Sequence, residues 1–234
     1  MNYNSFLLHI PHSSLIIPDG VFTGDDRKLL EEVNNQTDLY VDELFNFEFS
    51  NNIKRLVFGH NRFYCDVERF WCDEEEPMSK IGQGVYYEKF LDGSEIKRLD
   101  SKDTIKAIYD NHHVEFKKLS DDLVSTYGNC LIIDCHSFTN RPNTPDICIG
   151  LNNNNNDVDS ETLTQIIKNF EINGYSVDIN NPYSGSIYPI NTSEPNLKTV
   201  MIEINKRCYL KENLFTDNEK NQKLKKTIKE IISQ

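Results

Sequence analysis

Apolar positions along this chain fall into two rhythms. Three short runs are almost continuously apolar: Phe6-Leu7-Leu8-His9-Ile10, Leu131-Ile132-Ile133 and Val200-Met201-Ile202-Glu203-Ile204. Such runs read as strands buried on both faces. Reactive groups follow or interrupt each one: Pro11-His12-Ser13-Ser14 after the first, Asp134-Cys135-His136-Ser137 after the second, and Glu203 inside the third. Further strands are expected at residues 54–58, 63–67, 147–150 and 176–179. Helical spacing predicts a helix over 37–47, with Thr37 as its N-cap and Asp38 and Asp42 in its first turns. A long amphipathic helix is expected over 103–126, carrying Ile105, Ile108, Tyr109, His112, Phe116, Leu119 and Leu123 on one stripe. Two more are expected at 160–172 and 217–233. Pro18-Asp19-Gly20, the 141–146 segment and Pro182-Tyr183-Ser184-Gly185-Ser186 read as turns or loops. The Asn152 to Asn156 run reads as a solvated loop, and 73–93 as an irregular excursion. Strands alternating with helices, without repeat or linker, predict one α/β domain over 1–234.

Composition narrows the picture. A length of 234 residues suits one large domain. The net charge of −12 argues against nucleic acid as a partner. No apolar run approaches the ~20 residues that span a bilayer. The start of the chain lacks the pattern of a signal peptide, so a cytoplasmic protein is expected. The six cysteines form no C-x-x-C pair and read as buried free thiols. Cys135 adjoins His136, but strand neighbours point to opposite faces, which argues against a thiol–imidazole pair.

The candidate chemistry is metal-assisted hydrolysis. His12 and His136 stand at strand ends, where ligands gather in open α/β sheets, and neutral imidazole suits zinc. Asp38 and Asp42 are available as a carboxylate ligand. Plainer readings stand beside these. Either histidine could be a hydrogen-bonded structural group. Asp38 could be a favourable charge at a helix start. Arg62 and Arg69 could pair with Asp66 or Glu68, and Glu203 with Lys206 or Arg207. Arg141 and Tyr183, on loops at strand ends, are secondary candidates for lining a pocket. His113 could line it too or cap the polar face of its helix, whereas His112 falls on the apolar stripe. Neither Ser13 nor Ser137 lies in a Gly-x-Ser-x-Gly elbow, which argues against a serine hydrolase.

Eight stretches, taken in order, resemble the N-formylglutamate amidohydrolase family. They are His9-Ile10-Pro11-His12-Ser13-Ser14, Thr37 to Phe45, Asn61 to Arg69, His112 to Phe116, Asp134-Cys135-His136-Ser137, Pro145 to Gly150, Asn181 to Ser186 and Ile202 to Leu210. The resemblance implies a zinc-carboxypeptidase-like (phosphorylase/hydrolase-like) fold: a central mixed sheet with helices on both faces and one Zn2+ at the strand ends. It also implies His12 and His136 as imidazole ligands and Glu203 as general base. Arg62 and Arg69 match the arginines that hold the developing oxyanion and the substrate carboxylate. Relatives with a His-x-x-Glu motif take their acidic ligand from its glutamate. This chain has Leu15 there, which moves the acidic ligand to Asp38, with Asp42 as the alternative. The family usually reads Asp-x-Asn-Arg where this chain has Asp66-Val67-Glu68-Arg69.

The implied activity is hydrolysis of a small N-formyl or other N-acyl amino acid such as N-formylglutamate. Two rivals remain at this point. One is a zinc hydrolase of the same fold acting on another N-acyl amino acid or a small peptide. The other is a non-catalytic binding protein.

Overall fold

The computed structural model describes residues 2–24, 26–48, 50–190, 192 and 194–233. The chain is a mixed α/β protein whose central six-stranded sheet is flanked by helices. It divides into two compact units. The sheet unit comprises Met1–Ile10, Tyr40–Leu56 and Phe116–Gln234; the loop unit comprises Pro11–Leu39 and Val57–Glu115.

The strands are β1 (Phe6–Ile10), β2 (Ile53–Val57), β3 (Cys130–Phe138), β4 (Ile147–Gly150), β5 (Val177–Ile179) and β6 (Leu197–Asn205), in the spatial order β2-β1-β3-β6-β4-β5. β3 runs parallel to both β1 and β6, whereas β4 is antiparallel to β6 and parallel to β5. Every residue of β1 and β3 is buried, as their continuous apolar runs require. Paired residues and alternate residues share a face. Leu7, Ile132 and Leu197 therefore lie on the same face as His9, Asp134, His136 and Glu203, which follow them along the strands.

The apolar half of this face is covered by α3 (Lys102–Tyr127), whose Phe116, Leu123 and Val124 pack with Leu7, Leu56, Cys130, Ile132 and Leu197. Full burial of each large side chain contributes about 1.5–3 kcal/mol. Where the face turns polar, the Phe116 ring stacks on His9 at 4.7 Å. Gly150 closes β4 where the chain passes itself closely: an added Cβ would stand 2.4 Å from the Gly185 carbonyl oxygen. The remaining helices of this unit are α2 (Val41–Leu44), α4 (Ser160–Ile172) and α5 (Asn218–Ile232).

The loop unit holds α1 (Asp26–Gln36), the first half of α3 and a 3-10 turn at Pro77–Ile81. It has two apolar clusters. One gathers Val21, Phe58, Cys65, Val67, Val85 and Ile105, the other Val33, Phe63, Tyr87, Phe90 and Ile96. Arg98 ties the irregular segments together. Its guanidinium donates to the carbonyls of Phe63, Tyr64 and Tyr87 and to both oxygens of Asp100, and it stacks 3.6 Å from the centre of the Tyr86 ring.

Three expectations need correction. The helix expected over 37–47 is not continuous. α1 ends at Gln36, and Thr37 closes that helix, its hydroxyl donating to the Val33 carbonyl at 2.6 Å. Tyr40 then adopts φ +62, which breaks the path before the short α2. α1 escaped notice because only Leu29, Leu30 and Val33 mark its apolar side. The strand expected over 63–67 is a series of turns, nucleated by Asn61, whose side chain accepts from the Phe63 N–H and whose carbonyl accepts from Tyr64 and Cys65. Its residues are buried on all sides, so their apolar pattern carried no strand period. Finally, Cys72 is exposed, while the other five free cysteines are buried. The remaining elements fall where the periodicity put them, β3 and β6 each being longer at one end.

Candidate functional site

In the loop unit, His12 follows the end of β1 and is 2% exposed. Its Nε2 donates to Oδ1 of the fully buried Asp66 at 2.9 Å. The opposite ring nitrogen, Nδ1, lies 3.9 Å from Asp38 Oδ2 and 3.6 Å from Glu68 Oε2. The backbone brings these groups together: the Asp38 N–H donates to the His12 carbonyl at 2.9 Å. Asn61, also fully buried, donates to the Ser14 carbonyl and the Thr37 hydroxyl, pinning the residues that flank His12 and Asp38.

Two arginines surround Asp66. Arg62 donates from Nε and Nη2 to Oδ2 at 3.2 and 2.8 Å, and Arg69 Nε lies 3.6 Å away. Tyr87 adds its hydroxyl to the same oxygen at 2.9 Å. Burial works to raise the Asp66 carboxyl, but Arg62, His12 and Arg69 outweigh it and hold the group well below the usual range. Burial, then the charge of Arg62, lowers the pKa of His12, which favours neutral imidazole, the ligating form. Burial raises the Tyr87 phenol to about 12, so it remains a donor.

In the sheet unit, His136 stands on β3 directly opposite Glu203 on β6. Its Nε2 donates to Asp134 Oδ1 at 3.1 Å, and His9 Nδ1 meets the same oxygen at 3.0 Å. The Ile187 N–H donates to Asp134 Oδ2 at 3.0 Å. Burial again acts upward on the Asp134 carboxyl, and the two histidines overcome it, leaving its pKa well below normal. Arg207, a conceivable partner for Glu203, instead bonds Asp146, Asn140 and the Thr144 carbonyl.

Of the secondary candidates, Tyr183 is half-buried with its ring 5.9 Å from Phe138. Arg141 is exposed in the loop between β3 and β4. His113 is half-buried on α3, its ring 4.3 Å from that of Tyr109. Asp42 lies on α2 of the sheet unit, where its carbonyl accepts from Arg55. A cavity of about 260 Å³ in the loop unit, lined by Phe22, Lys28, Phe90 and Lys97 among others, contains none of the candidates.

Sequence reasoning missed the parts played by Asp66 and Asp134. Each is a buried carboxylate holding Nε2 of a candidate histidine, an arrangement that sets the tautomer and aims the other nitrogen. Both sit within the quoted motifs, three and one positions from a candidate arginine and a candidate cysteine, but nothing in their spacing tells which histidine each will meet.

Buried histidine and carboxylate groups that could hold a metal ion are therefore present. The donor chemistry of the loop unit fits one, since His12 Nδ1 shares its surroundings with two carboxylates. The model of the N-formylglutamate amidohydrolase family matches residues 4–210. The chain belongs to the N-formylglutamate amidohydrolase family. That membership supports a hydrolase acting on an amide, with a small amino-acid-derived substrate. The fold agrees. The N-formylglutamate amidohydrolase of Ralstonia eutropha superposes with a TM-score of 0.80 at 17% identity, over 99% of this chain and 95% of that one. A gene product of Agrobacterium tumefaciens gives a TM-score of 0.62 at 20% identity, over 98% and 89%. No curated protein matches the chain by sequence. Among the described residues, no helix of this family member is long and apolar enough to cross a membrane.

Proposed function

We propose that this amidohydrolase cleaves the amide of an N-formyl or other N-acyl amino acid, N-formylglutamate first among them, in the cytoplasm, as one functional domain. Zinc is the proposed ion, with His12, Asp38 and His136 as its ligands. The observation that carries the metal reading is the paired bracing of the two histidines, each held at Nε2 by a buried carboxylate. When bound, zinc would supply Lewis acidity and a water whose pKa is lowered to about 7.

The chain's own groups then have these tasks. Glu203 accepts the water's proton and passes it to the leaving amine as the carbon–nitrogen bond breaks, releasing formate and the amino acid from an N-formyl substrate. Arg62 stabilises the charge that develops on the carbonyl oxygen. Arg69 holds the substrate's carboxylate through a charge-assisted contact. His113, Arg141 and Tyr183 line the substrate's path. Asp66 keeps His12 and both arginines in place.

The test combines metal analysis with formate release. Protein purified without chelator should carry one equivalent of zinc, and His136→Ala should lose it. Glu203→Gln should keep the ion and lose turnover on the order of 10²-fold or more. Undiminished turnover in that variant would remove Glu203 from the chemistry. Comparison of N-formyl, N-acetyl and N-succinyl amino acids would set the acyl group.

A further inference from the structure

We propose that Glu68 is a ligand of the same ion, so that the loop unit presents three donors: His12 Nδ1, Asp38 and Glu68. The inference rests on the metal reading above and adds a residue to it. Glu68 Oε2 is 3.6 Å from His12 Nδ1, and Asp38 Oδ2 is 3.9 Å from the same atom. Two donors that share one ion at about 2.0–2.2 Å each stand at most about 4.4 Å apart, and both separations fall within that limit.

The placement of Glu68 is built in. Its backbone N–H donates to Asp66 Oδ1 at 3.1 Å, the same oxygen that accepts from His12 Nε2 at 2.9 Å. One buried carboxylate oxygen therefore fixes both the imidazole and the main chain that carries the second carboxylate. With Nε2 donating to Asp66, Nδ1 presents a lone pair toward two carboxylate oxygens. A divalent cation bound there would be held by the imidazole and both carboxylates. The Glu68 side chain is 14% exposed, dry enough for its charge to count. A donor set with two carboxylates is harder than one with a single carboxylate, and the site should therefore take Mn2+ as well as Zn2+.

The experiment is calorimetric titration of the metal-stripped full chain with MnCl2 and, separately, ZnCl2, for the wild type, Glu68→Gln and Glu68→Asp, with circular dichroism as the check of folding. The wild type should bind one ion. Both variants should lose at least about tenfold in affinity, because Gln removes the charge and Asp keeps it but withdraws the oxygen. If Glu68→Gln does not fold, Glu68→Asp decides alone. Wild-type affinity in Glu68→Asp would reduce Glu68 to a distant charge and overturn the inference while leaving His12, Asp38 and His136 standing. Absence of ion binding in the wild type would overturn the metal reading and this inference together.

Discussion

Both units aim a histidine with a buried carboxylate, but they build the pair by different means. In the sheet unit, Asp134 and His136 are alternate residues of one strand. Pleat alone puts them on the same face as His9 and Glu203 of the neighbouring strands. In the loop unit, His12 and Asp66 lie 54 residues apart on irregular chain. There the geometry depends on polar staples: Arg98 on three carbonyls, Asn61 on two segments, and the arginines around Asp66. A ladder distributes its load over many equivalent bonds, so one lost side chain is tolerated. A stapled loop concentrates it, and each staple is costly to remove.

The largest expected effects are therefore in the loop unit. Asp66→Ala leaves a buried histidine and two half-buried arginines without the carboxylate they share and should destabilise the protein by about 3–5 kcal/mol, measured by urea unfolding. A cost below about 1 kcal/mol would break the contrast. Arg98→Ala should come next, at about 2–4 kcal/mol, since it removes the ion pair of Asp100 and the donor shared by three carbonyls. Its amide hydrogen exchange should accelerate over 57–101 while the β1, β3 and β6 amides stay protected; uniform acceleration would mean that the two units open as one.

Asp134→Ala should cost less, about 1.5–3 kcal/mol, because the ladder persists when the acceptor of His9, His136 and Ile187 is lost. The smallest effect is at a helix end of the sheet unit. Asp159 caps α4, accepting from the Glu161 and Thr162 N–H groups. Asp159→Ala should cost about 0.5–2 kcal/mol at neutral pH. Burial acts to raise the Asp159 carboxyl, and its hydrogen bonds with Thr162, Tyr3 and Glu161 together outweigh it and lower the pKa. A folded pKa below the unfolded value of about 3.9 makes the cap's contribution full above that pH and lost as pH falls through the folded value. The Tm gap between wild type and variant should accordingly close below about pH 4; a gap unchanged at pH 3 would show that the charge of Asp159 plays no part.

Legibility followed the same divide. The strands carrying His9, His136 and Glu203 were readable because continuous apolar runs admit few alternatives, and α4 was read to the residue from its spacing. The register that sets His136 beside Glu203 was not readable, since strand order depends on contacts between segments 67 residues apart in sequence. In the loop unit the reading failed at two places that matter: Thr37 ends a helix rather than starting one, and 63–67 turns rather than extends. Each failure has one cause. A local pattern reports burial, and when a residue is buried by loops instead of by a regular element, no period remains to say how.

By itself, then, the sequence determined the α/β class, the apolar strands, the long helix and the family to which the chain belongs, all of which depend on local pattern or motif order. The tertiary structure alone decided that Asp66 holds His12, that Asp134 holds His136 and that Glu68 faces the same ring nitrogen as Asp38. Those pairings join residues remote in sequence, or turn on side-chain direction, and such distances are set only when the chain is closed and water is excluded.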